Sequence, residues 1–330
     1  MATVTLDVVG IGNAIVDVLV HADDALLAEH GLTKGAMTLV DSARAEAVYD
    51  RLGPAVECSG GSAANTMAGI AALGGRAAFI GKVRDDQLGA VFAHDIRAIG
   101  VRFNTPAASA GPPTARSLIL VTPDAQRTMC TCLGAAVALA AQDVDEATIA
   151  AARVTYLEGY LWDPPEAKRA FRRALEVAHA HGRRVALTLS DPFCVERHRD
   201  EFRELVADGV DILFANEVEI ASLYQVADFE AALERARREC PLAVLTRSAR
   251  GSVVLKGEET HRIAAAPVDR VVDTTGAGDL YASGFLYGLT HGFELSRCGR
   301  LGALAAAEVI SHVGARPEAD LAELAALEFD

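Results

Sequence analysis

Short apolar runs alternate with longer stretches of helical periodicity along most of this 330-residue chain, and that alternation limits its fold more than any other feature. Residues 6–9, 77–80, 154–157, 185–189, 212–215 and 242–246 are almost continuously apolar, as strands covered on both faces must be. Between and beyond them, residues 62–73, 86–99, 165–181, 217–224, 229–239 and 295–312 carry helical spacing. Parallel strands cannot be joined by a tight hairpin, so helices must make the crossovers. The expected fold class is α/β, with a mostly parallel central sheet flanked by helices on both faces.

Two regions break the alternation. Residues 14–20 with 37–40, and the stretch 101–133 with its segments 114–122 and 126–133, read as β-hairpin material without intervening helices. Pro123-Asp124 marks a turn between the last two. A small discontinuous β lid, near 14–21, 36–41 and 101–133, is therefore expected over one edge of a single α/β domain spanning 1–330. The formal charge of -14 and pI of about 5.1 argue against nucleic-acid or anionic-membrane partners, which need a basic surface. Six cysteines, at 58, 130, 132, 194, 240 and 298, lack the paired spacing of a zinc site, and Cys130 and Cys132 read as small buried strand residues. Without a basic-then-apolar leader or an apolar run of membrane-spanning length, a reducing cytoplasm is the expected location.

The chemistry concentrates at Val272-Asp273-Thr274-Thr275-Gly276-Ala277-Gly278-Asp279, a glycine-rich turn after a short apolar stretch that can end a β-structure. It opens into an apolar helix over 280–289. Glycine lets a phosphate come within reach of several N–H groups. At a helix start those groups are unpaired and carry the positive end of the dipole. Asp279 stands beside this anion pocket, where a base can take a proton from an attacking hydroxyl. No Gly-Lys-Ser/Thr follows, which excludes a Walker A loop. A tight connection capped by Asp279 is the competing reading, and the agreement of turn and helix context weighs against it.

Other constellations are less specific. Gly60-Gly61-Ser62-Ala63-Ala64-Asn65 is a second glycine turn, with Ser62 expected as N-cap and Asn65 three residues into the helix that Gly74-Gly75 closes. It is either a plain cap or a cradle of amides for sugar hydroxyls. Gly10-Ile11-Gly12-Asn13 fails as a dinucleotide loop, because Ile15 stands where the third glycine belongs. Asp17, between Val16 and Val18, is a costly carboxylate in an apolar strand. It lies either on a solvated face or beside a ligand that donates hydroxyls. Asn216 and Glu219, one helical turn apart, either cap a helix or hold a magnesium ion through water. Thr246 to Gly251 is a nucleotide loop or a β-turn. Tyr156, Tyr160, Trp162 and Phe193 group at strand ends as a stacking surface for a flat ligand, or fill the core.

In order and spacing, the segments 60–65, 216–219 and 273–279 resemble the ribokinase-like (PfkB) sugar and nucleoside kinases, over nearly the whole chain from residue 9 to 316. Gly12-Asn13 with Asp17, Ser190-Asp191-Pro192-Phe193 and the segment 211–217 are most similar to the adenosine kinases of that family. Pro113-Thr114 and Arg127-Thr128-Met129 resemble the lid of its bacterial nucleoside and sugar kinases. The resemblance implies Asp279 as general base and Gly276, Ala277 and Gly278 with Asp279 as anion hole. It implies Asp17, Gly60, Gly61 and Asn65 at ribose hydroxyls, and Tyr160 at the position of the base-stacking aromatic. Asn216 and Glu219 would support magnesium, and Thr246, Gly251 and Thr275 would lie near ATP. The implied reaction is ATP- and magnesium-dependent phosphorylation of a nucleoside 5′-hydroxyl, adenosine to AMP, with a monovalent cation as a further candidate cofactor. A sugar kinase of the same fold and a nucleoside-binding sensor without turnover are the alternatives, and an intact Asp279 argues against the sensor. Monomer and homodimer both remain open.

Overall fold

The computed structural model describes residues 3–124 and 126–329. The larger of two sheets runs, edge to edge, β14 (Glu259–Ile263), β13 (Ser252–Lys256), β12 (Ala243–Thr246), β11 (Ile212–Asn216), β10 (Arg184–Thr188), β9 (Ala152–Glu158), β1 (Leu6–Ile11), β5 (Ala77–Ile80) and β6 (Arg102–Phe103). From β12 to β6 every pairing is parallel, and β13 and β14 close one edge as an antiparallel hairpin. The mostly parallel sheet expected from the apolar runs is present, with helices on both faces.

Alternation along the strands sorts the core into two layers. Val9, Leu157, Leu187, Leu213 and Leu245 face one side. There they meet α5 (Glu146–Ala151), α6 (Pro165–Ala180), α7 (Pro192–Gly209), α8 (Glu217–Tyr224) and α9 (Phe229–Glu239). Val8, Tyr156, Ala186, Phe214 and Val244 face the other side. They pack against α3 (Ser62–Ala72), α4 (Gln87–Ala98), α10 (Ala277–Thr290) and α11 (Leu295–Val309). Where α10 crosses α11, a Cβ on Gly284 would stand 2.5 Å from the Leu301 carbonyl, so only glycine allows this approach.

The smaller sheet has the order β3 (Met37–Leu39), β8 (Arg127–Cys132), β7 (Ala115–Val121), β2 (Ile15–His21), β4 (Val56–Gly60). Val16, Val18, Val20, Leu118, Leu120 and Cys130 form its buried face. They join Leu27 of α1 (Asp24–Glu29), Val48 of α2 (Ser42–Tyr49), and Phe92 and Ile96 of α4 in one core. The alternate residues of β2, Ile15, Asp17 and Leu19, take the opposite face.

Connectivity decides where the site lies. After β1 the chain turns into β2 through Gly12, Asn13 and Ala14, and after β4 it enters α3 directly at Gly61. In the large sheet β1 is the strand from which pairing proceeds to β5 on one side and β9 on the other. Ligands in such sheets bind outside the carboxyl ends of the strands at this switch point. The small sheet hangs over that opening.

Candidate active site

The glycine turn forms the floor of the opening. No strand feeds it, contrary to the expectation from Val271 and Val272, because β14 ends at Ile263 and residues 264–276 are irregular. The segment is held instead by the N–H groups of Val272 and Asp273, which donate to the Ile310 carbonyl. Asp273 then organises the turn: one carboxylate oxygen accepts from Thr275 N (3.1 Å) and Oγ1 (2.8 Å), the other from Gly314 N (3.1 Å). Gly276 is the N-cap of α10, at φ 78°, and a Cβ there would stand 2.8 Å from that of Ala315. Gly278, by contrast, borders open space. Among the described residues the amides of Gly278 and Asp279 bond no backbone carbonyl, which leaves them as donors at the positive end of a fourteen-residue helix.

Asp279 has its partners on another helix. Ser62 Oγ donates to one carboxylate oxygen at 2.6 Å and Asn65 Nδ2 to the other at 3.0 Å. Ser62 is therefore not the N-cap expected from sequence. Gly61 occupies that position at φ 99°, where a side chain would also strike the Asn13 carbonyl, and the Ser62 hydroxyl is released to the site. Loss of hydration pushes the Asp279 carboxyl above its ordinary range, opposed by the Ser62 and Asn65 hydrogen bonds and the charge of Arg316.

Asp17 hangs from β2 above the same opening. Its carboxylate lies on Gly60, directly over the backbone, where any Cβ would collide with it. Cys58 and Ser117 flank it in register. Although it keeps an open edge, desolvation raises its pKa to about 7, with Arg316 and Arg127 opposing and Asp279 adding to the rise. Two nearby acceptors have no donor: Asn13 Oδ1 and Asn65 Oδ1, in residues that are 2% and 5% exposed. Buried acceptors without donors are costly, so a ligand bearing several hydroxyl groups complements this corner.

Three further residues at the site were not among the candidates. Glu158, fully buried at the carboxyl end of β9, accepts from Asn13 Nδ2 (2.7 Å) and Asn13 N (3.4 Å) through one oxygen and from Ala63 N (2.9 Å) through the other. Burial lifts its pKa to about 7. A charged residue closing the apolar run 154–157 was the available signal. Arg127 of β8 reaches down to Asp273, with Nη1 at 2.5 Å from Oδ2. This buried ion pair sets a guanidinium beside the glycine turn. Arg316 arrives from the segment after α11 and has no local sequence signal.

On the nucleotide side expected from sequence, Asn216 and Glu219 form a complete reciprocal cap on α8. Asn216 Oδ1 accepts from Val218 N and Glu219 N at 2.9 Å each, while Glu219 accepts from Asn216 N (2.9 Å) and Nδ2 (2.5 Å). Glu219 is 5% exposed, and burial raises its pKa to about 7, with the Asp191 carboxylate adding to the rise. Among the described residues no group of three or more His, Cys, Asp or Glu is disposed to hold a metal. Two oxygen-bearing side chains suit an ion that keeps its water shell, such as magnesium, and are too few for an all-protein cage. Thr246 ends β12, and a side chain on Gly251 would strike the Ile263 carbonyl. Arg247 and Arg250 of this loop both pair with Glu217.

The aromatics form no shared stacking surface, and the core-filling reading holds for Tyr156 and Trp162. Tyr156 is buried on one face of the sheet, edge-on to Phe214 at 5.9 Å. Trp162 is buried in the other layer against Phe171 and Phe202. Phe193 stands 71% exposed. Tyr160 alone, 37% exposed, lies in the electrostatic range of Asp191, Asp279, Glu219 and Glu158.

Fold and site together define a phosphoryl-transfer enzyme built on a parallel sheet with an overhanging β lid. Residues 40–321 match the pfkB family carbohydrate kinases, and the chain belongs to that family. It is thus an ATP-dependent phosphotransferase with an alcohol group as acceptor. An adenosine kinase structure from Sinorhizobium meliloti is 56% identical, with a TM-score of 0.91 over 98% of this chain and 99% of that one. A probable sugar kinase from Rhizobium etli CFN 42 is 53% identical, with a TM-score of 0.91 over 99% of both chains. The adenosine kinase of Saccharomyces cerevisiae is 27% identical over 94% of this chain and 96% of its own. Among the described residues no helix is long and apolar enough to cross a membrane.

Proposed function

We propose that this kinase transfers the γ-phosphate of ATP to the 5′-hydroxyl of a nucleoside, adenosine foremost. The carrying observation is the face of the small sheet on which Asp17 sits. In register with it run Leu19, Val56, Ile119, Met129, Met37 and, beside Thr131, Leu39. Val56, Met37 and Leu39 are 67%, 47% and 56% exposed. A nucleoside has a hydroxyl-rich end for Asp17, Asn13 and Asn65 and a flat apolar end for this surface, whereas a free sugar has only the first. The 56% identity to an adenosine kinase supports the same reading.

In this reading Asp279, held by Ser62 and Asn65, accepts the proton of the attacking hydroxyl. The Gly278 and Asp279 amides and the α10 dipole meet the charge spreading over the transferred group, and Arg127, paired with Asp273, adds a guanidinium from above. Little covalent help is needed, so positioning carries most of the catalysis. Asn216 and Glu219 would hold a magnesium ion through its water, and the ion would supply charge neutralisation at the phosphate. The small sheet acts as a lid within a single domain, excluding water as the competing acceptor. ADP release measured against a panel of nucleosides and free sugars tests the assignment, and adenosine is expected to have the highest kcat/KM.

The acceptor-rich corner of Asp17, Asn13 and Asn65, together with the Rhizobium etli neighbour, favours one alternative, a sugar kinase. A free sugar outranking every nucleoside in the same panel would establish it.

A further inference from the structure

We propose that Arg316 is a positioning residue for phosphoryl transfer, one guanidinium that clamps the backbone segment 59–64 and sets the positive charge faced by both site carboxylates. Its fork is fully engaged. Nε and Nη2 donate to the Ser59 carbonyl at 3.0 and 2.6 Å, Nη2 also to Ser59 Oγ at 2.9 Å, and Nη1 to the Ala64 carbonyl at 2.8 Å. Ser59 is fastened from the other side by Asp95 of α4, which accepts from its N–H (2.7 Å) and hydroxyl (2.6 Å).

The clamped segment is the one that touches everything. It contains Gly60, on which the Asp17 carboxylate lies; Gly61, packed on the Asn13 carbonyl; Ser62, hydrogen-bonded to Asp279; and Ala63, bonded to Glu158. The residues just before Arg316 brace the phosphate side, since Gly314 N bonds Asp273 and Ala315 packs against Gly276. Three consecutive residues thus tie the alcohol-binding segment to the anion turn. A lysine would keep the charge but cannot span two carbonyls in a plane.

Among the described residues no carboxylate bonds Arg316 directly, so its charge acts through space. Asp279 is faced by Arg316, Asp17, Glu158 and the phenols of Tyr156 and Tyr160; Asp17 is faced by Arg316, Arg127 and Asp279, with the Cys58 thiol opposite; Asp95 completes the set. Arg316 opposes the upward shift of both Asp17 and Asp279. A base must be deprotonated to work, so removing this cation raises the pH at which activity appears.

The inference rests on Asp279 as the base. Its test is the pH profile of kcat/KM for Arg316→Met and Arg316→Lys, with whichever alcohol the wild-type enzyme phosphorylates fastest. Arg316→Met should move the acid limb upward by about one pH unit. Arg316→Lys should leave the limb in place and lower kcat by about tenfold through lost alignment. An unmoved limb in a folded Arg316→Met, or wild-type kcat in Arg316→Lys, overturns the proposal; if Arg316→Met gives no cooperative melting transition, the lysine variant decides. Asp279→Asn measured alongside separates the two ideas: an active variant removes the base, while an inactive one with an unmoved Arg316→Met limb removes only Arg316.

Discussion

Two helix starts in this molecule look alike in sequence and have opposite uses. At α8, Asn216 and Glu219 spend their side chains on each other and on the helix's own amides. At α3, the cap position is a glycine with no side-chain bond, and Ser62 and Asn65 reach across 217 and 214 residues of chain to Asp279. A polar residue at a helix start is available to a site only where the helix does not consume it. The α8 motif is therefore first a stabilising cap, and any metal it supports must be met through water; the α3 motif contributes little to its own helix and much to the carboxylate opposite.

Substitutions at the two starts should separate accordingly. The largest effect belongs to the group the α3 residues serve: Asp279→Asn is expected to lower kcat by about 10²–10⁴-fold with little change in substrate affinity. Near-wild-type turnover would leave the α3 network without its proposed purpose. Next, Asp17→Ala should weaken nucleoside binding by about 10–100-fold, the range for hydrogen bonds to a charged group, while ATP binding holds. Calorimetry on each ligand separately checks this, and parallel losses would mean a general structural defect. Ser62→Ala sharpens the comparison, because Gly61 already caps the helix; kcat should fall by about tenfold while the melting temperature stays put. A stability loss without a rate loss would make Ser62 a structural residue after all. At α8 the pattern should invert: Asn216→Ala is expected to cost about 1 kcal/mol of stability by denaturant titration. Glu219→Gln, which can still cap, should instead raise the magnesium concentration for half-maximal rate. If that titration is unchanged, the α8 start is a cap and nothing more.

The sheet and its helices were legible because buried parallel strands announce themselves as apolar runs, and all six expected runs became strands of the large sheet. The misses have physical reasons. The segment of α7 bends at His198, where φ is -125°, so its apolar residues follow no single helical phase. The strand β4, at a sheet edge, is three-fifths cysteine, serine and glycine and shows no alternation worth the name. Phe193, Tyr156 and Trp162 all fall near predicted strand ends but belong to solvent and to two separate core layers. The glycine turn and Asp279 stood out because an anion site at a helix start is a local construction. Arg316 did not, since what gives it meaning is Ser59, 257 residues away.

One feature of the connectivity bears on how the molecule moves. Two of the four connections between the small sheet and the body are the very short links at Asn13 and Gly61, and both border the corner of Asp17 and Asn65. In the proposed reading these two joints would also be grips: tilting the sheet would turn peptide units beside the bound alcohol.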